Sequence, residues 1–83
     1  MSLFASVALV CTLSYCSDYV LDTAETRVDA MHNTTAVDNE FLSIWGDENM
    51  LNMWLTKYHV GETVFEIVSI DFETVEIPEK EIP

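Results

Sequence analysis

Cysteine and histidine are the residues with which so short a chain most readily does chemistry, and it has two of each: Cys11, Cys16, His32 and His59. A zinc site would need all four. Structural zinc sites gather ligands as two close pairs on short loops, whereas the two histidines stand far apart and the cysteines fall on an apolar stretch and the turn after it. A nucleophile needs a base held beside it in space, and the neighbours Cys16, Ser17 and Asp18 offer only adjacency along the chain. A phosphate-cradling loop is excluded more firmly, because Gly46 and Gly61 are the only glycines. The residues therefore predict no enzyme, no metal and no cofactor.

Acidic chemistry remains. Fifteen Asp and Glu against three Lys and Arg give 83 residues a net charge of -12. Such a field repels nucleic acid and anionic membranes and speeds encounter with basic surfaces, so the expected partner is a basic nucleic-acid-binding protein, with no direct binding of nucleic acid or membrane. The densest series is Glu62, Glu66, Asp71, Glu73, Glu76, Glu79 and Glu81. On an extended strand, residues two apart share a face at about 6.6 to 6.8 Å. That spacing is close to that of successive phosphates along a DNA strand, which makes a row through Asp71 and Glu73 a candidate imitation of DNA. The alternative is an edge strand whose charges prevent aggregation. A second group, Asp38, Glu40, Asp47 and Glu48, flanks Trp45; because Trp45 and Trp54 lie on apolar helical stripes, both are expected in the core.

The elements that must position these acids follow from periodicity. Leu3 to Leu13 is apolar at both parities, as in a strand buried on both faces. Ser14–Asp18 then reads as a turn and Tyr19–Leu21 as a returning strand. Asp22 and Glu25 have capping-box spacing, predicting a helix over 23–31 that the polar run His32–Thr35 breaks. Val37, Phe41, Ile44 and Trp45 predict a second helix stopped by Gly46. Asp47 caps a third, with Met50, Leu51, Trp54, Leu55 and Tyr58 on one stripe. Thr63 to Ile77, β-branched and alternating, reads as a strand with one wet face.

The expected fold is thus α+β: an N-terminal hairpin and a C-terminal strand forming a small antiparallel sheet, with two or three helices on one face. It is read as one domain over 1–77, with 78–83 as an acidic tail. The apolar opening lacks a basic residue before it and is too short to span a bilayer, which predicts a cytoplasmic protein with free, buried thiols at Cys11 and Cys16.

Leu3-Phe4-Ala5, Val10-Cys11-Thr12-Leu13 and Asp18-Tyr19-Val20-Leu21-Asp22 resemble the openings of short uncharacterised reading frames of lambda-like prophages. In size and charge the chain is similar to phage-encoded inhibitors that mimic DNA, such as uracil-DNA glycosylase inhibitors, anti-restriction proteins and some anti-CRISPR proteins. The resemblance implies an inhibitor acting in the host cytoplasm on a defence or nucleic-acid-processing protein. The competing expectation is a self-associating scaffold, a homodimer formed through the helix surface of Met50, Met53, Trp54 and Tyr58.

Overall fold

The structure, a computed structural model, describes residues 2–78, which run β1 (Leu3–Cys11), β2 (Cys16–Ala24), α1 (Arg27–Ser43), α2 (Glu48–Lys57) and β3 (Ser69–Ile77). The fold is α+β, as expected. The strands form one antiparallel sheet in the order β2-β1-β3, so the doubly apolar first segment is its central strand, with Ala5, Ser6, Val7, Ala8 and Val10 all buried. Its even positions face the helices and its odd positions face the open side.

The hairpin turns earlier than the polar cluster suggested. Cys11 pairs with Cys16, and the Thr12 N–H donates to the Tyr15 carbonyl at 2.8 Å. The Thr12 hydroxyl oxygen accepts from the N–H groups of Ser14 and Tyr15. One threonine closes the turn, which lets Cys16 to Asp18 join the second strand. The two cysteines sit directly opposite each other and form a disulfide, so the expectation of free thiols is overturned: their five-residue separation matches the register of this hairpin.

The predicted helix over 23–31 and its break are also corrected. Asp22 to Ala24 stay in β2, because Ala24 pairs with Phe4. The helix starts behind Thr26, whose side chain accepts from the Asp29 N–H, and then runs unbroken to Ser43. His32–Thr35 does not interrupt it because the Thr34 hydroxyl finds partners without leaving helical geometry. It lies within hydrogen-bonding distance of the Ala30 carbonyl, Ser6 Oγ and Thr74 Oγ1, at 2.8, 2.9 and 2.8 Å. Gly46, at φ 91°, makes the turn between helices, and Asp47 Oδ1 accepts from the Met50 N–H as the predicted cap of α2. His59 takes the left-handed φ of 57° just past α2.

The core forms where both helices meet β3. Val37 and Phe41 of α1 pack with Leu51, Trp54 and Leu55 of α2, and Ile70 and Phe72 of β3 lie against them. Phe41 and Phe72 meet edge to face at 5.6 Å, and Trp54 stands perpendicular to Phe72 at 6.0 Å. Quadrupole attraction favours these arrangements over face-to-face stacking. β3 is shorter than Thr63 to Ile77: residues 63–68 form turns, and Val68 is exposed.

The disulfide closes a loop of so few residues that its loop-closure contribution is about 2 kcal/mol. Reduction, or Cys16→Ser, is therefore expected to lower the urea midpoint with an unchanged slope. An identical midpoint with and without reductant would show that the bridge does not stabilise the hairpin.

Candidate functional site

The acids predicted as a binding row divide among several tasks. Glu62 is only 6% exposed and accepts a hydrogen bond of 2.5 Å from the Tyr19 hydroxyl, whose oxygen accepts in turn from the Gly61 N–H. It ties the 60s loop to the hairpin. Glu66 accepts from the N–H and hydroxyl of Thr63, and Glu76 lies 3.6 Å from the Arg27 guanidinium. Arg27 also stacks over Phe4. Asp47 caps α2, while Glu79 and Glu81 lie outside the described residues.

Asp71 and Glu73 remain, and β3 brings them onto one face as the alternation required. They pair with Leu9 and Val7 of β1, whose odd positions form the sheet face away from the helices. Asp18 of β2 pairs with the same Leu9 from the other side, so Asp18, Leu9 and Asp71 line up across the sheet. Neighbouring strands lie about 4.8 Å apart, putting the two aspartates about 10 Å apart over an apolar floor. This is an acidic frame around an apolar stripe, shorter and broader than the row expected.

The second acidic group leads to a feature the sequence reading missed. Trp45 was expected in the core, but it is 70% exposed. Its helical stripe points it past the last turn of α1, where it flanks Phe41 at 5.5 Å. It forms one lip of an apolar cleft of about 560 Å³ whose other walls include Leu42, Leu51, Phe65 and Ile70, with Glu48 as its acidic lining residue. Phe65 is 78% exposed. The sequence signal lay in Val64-Phe65, apolar residues in a segment too turn-rich to bury both. The cleft takes in Ser69 and Ile70 of β3 but no residue of β1 or β2, which places it beside the β3 edge.

The helix surface expected to support self-association is half occupied. Trp54 is buried, Tyr58 packs against it at 5.0 Å, and Met50 and Met53 alone stay exposed.

Among the described residues no cluster of His, Cys, Asp and Glu is arranged to hold a metal ion, and no helix is long and apolar enough to cross a membrane. No protein-family model matches the chain, and neither a curated protein nor a solved structure matches it.

Glu62 holds the Tyr19 hydroxyl above its ordinary value of 10.0, mainly by the hydrogen bond it accepts, with its charge acting in the same direction, and its nearby carboxylate raises the Tyr15 hydroxyl as well. A raised phenol favours the protonated folded state, so this stabilisation is complete below pH 10 and is lost as the pH climbs through the raised values. Glu62→Gln should return both tyrosines toward 10.0 in an absorbance titration. Tyr19→Phe, which leaves a buried carboxylate without its partner, should cost about 1–3 kcal/mol. Unmoved titrations in Glu62→Gln would dissolve the link.

Proposed function

We propose that the protein is an acidic binding module of the inhibitor type that phages and mobile elements encode, and that it acts on a basic nucleic-acid-handling protein of the host. The observation that carries this reading is the arrangement of charge on the open sheet face. Asp18, Asp71 and Glu73 surround Leu9 and Val7 there, within a molecule of net charge -12. Unlike charges across an interface steer encounter and fix register, and Leu9, half-buried between these acids, is the apolar group a partner can reach there, Val7 being buried. Arg27 and Lys57 lie beside Glu76 and Glu40, and so offset those acids rather than Asp18, Asp71 or Glu73. A surface of this kind competes with nucleic acid for a basic groove.

Self-association through α2 has less support, because Trp54 and Tyr58 are held in the core.

The test is capture from host lysate on the immobilised protein, in low and then moderate salt, with captured proteins identified and duplex DNA added as competitor. Nucleic-acid-binding proteins should be retained, should weaken as salt rises and should be released by DNA. Retention of none in either salt would defeat the proposal.

A further inference from the structure

The outer edge of β3 carries backbone groups that the sheet leaves unpaired, and their positions follow from the hairpin. In an antiparallel ladder, hydrogen-bonded and non-hydrogen-bonded pairs alternate. The Thr12 N–H bond to Tyr15 makes Cys11 and Cys16 a non-hydrogen-bonded pair, so the N–H and C=O of Cys11 point away from β2 and toward β3. The Cys11 carbonyl accordingly accepts from the Val68 N–H at 2.8 Å. With Cys11 opposite Ser69, alternation directs the backbone groups of Ser69, Asp71, Glu73 and Val75 inward to β1. Those of Ile70, Phe72 and Thr74 point outward, where no described strand lies.

Both shoulders of this edge have a defined chemistry. On the open side stand the carboxylates of Asp71 and Glu73. On the helix side, Ile70 leads into the apolar cleft between Trp45 and Phe65. The other edge strand, β2, is irregular, since its register with β1 shifts between Ser6 and Val7. Pairing along β3 is uninterrupted over nine residues.

We propose that the β3 edge accepts an extended segment of another protein as a fourth strand, and that this segment alternates apolar and basic residues. Its backbone would bond to Ile70, Phe72 and Thr74. Its Lys or Arg side chains would lie beside Asp71 and Glu73, and an apolar side chain level with Ile70 would enter the cleft. A second copy of this chain is disfavoured in the central register: antiparallel pairing of β3 with itself about Phe72 sets Asp71 opposite the copy's Glu73, and like charges directly opposed are destabilising. The proposal rests on the reading of the partner as basic and adds the mode by which it is held.

The experiment titrates the full chain with a seven-residue peptide alternating valine and lysine, and with a peptide of the same composition whose lysines form one block. Binding is measured by fluorescence anisotropy and backbone amide exchange by NMR. The alternating peptide should bind at least about tenfold tighter and should slow exchange at Ile70, Phe72 and Thr74. The double variant Asp71→Lys, Glu73→Lys should lose about tenfold or more toward that peptide and gain affinity for one alternating valine and glutamate, which also reports that the variant is folded. Equal binding of the two lysine peptides, or no new protection at the three outward amides, would overturn β-strand addition. That result would leave the acidic-surface reading standing, because lysate capture tests it separately. Protection of those amides at high protein concentration without peptide would assign the edge to a second copy and overturn the proposal as well.

Discussion

Where α1 crosses the sheet, β1 offers Ser6 and Ala8 and the helix offers Ala30, so the two backbones approach with only small side chains between them. The hydroxyls at this crossing can each donate once in a single direction: Thr74 to Thr34, Thr34 to Ser6, and Ser6 to the Ala30 carbonyl, with each oxygen accepting from the one before. Ser6 is buried, and a buried hydroxyl without a partner costs about 1–3 kcal/mol, so the relay favours one mutual register of strand β1, helix α1 and strand β3. Loss of a turn in α1 or a slip in β3 would break it. Phe41 and Phe72 of the aromatic core lie elsewhere on the same helix and strand, and Trp54 of α2 packs on both. The hydroxyl relay therefore fixes the frame in which those rings meet.

From that frame follows the asymmetry of the molecule. Two helices cover one face of three strands, and the other face is left to water. A sheet with such a face needs polar residues on it, yet the open side of β1 carries Ala5, Val7 and Leu9, of which Ala5 and Val7 are buried and Leu9 half-buried. The charge has to come from the flanking strands, and it does, through Asp18 on β2 and Asp71 and Glu73 on β3. Residues that keep the open face in solution are thus the same residues that the proposed basic partner would meet. Protection against aggregation and recognition are two consequences of one placement.

How much of this was legible in the sequence depends on whether a local signal or a distant partner decided each element. The central strand, the stop at Gly46, the cap at Asp47 and the alternation of Asp71 and Glu73 were readable because each is set by its own residues or near neighbours. Three features were not. Thr34 reads locally as a helix breaker, since its hydroxyl competes for backbone hydrogen bonds, but it bonds back to the Ala30 carbonyl one turn earlier, and Ser6 and Thr74, distant in the chain, complete its partners. Glu62 reads as one more surface acid until Tyr19 is found beside it. The disulfide depended on the turn closing at Thr12 rather than in the polar cluster that follows, a shift that decides whether Cys11 and Cys16 face each other.

Trp45 shows the same limit from the other side. Its spacing with Phe41 is that of a core stripe, and a tryptophan buries more surface than any other side chain when it finds cover. Here the helix ends within a few residues and Gly46 turns the chain away, so α2 returns beneath Phe41 and leaves the indole at the rim. The cleft that results follows from what the core already holds: Phe41, Trp54 and Phe72 fill it. Apolar residues beyond that number stand outside, and Trp45, Phe65 and Leu42 do so together, next to the one regular strand edge the sheet leaves open.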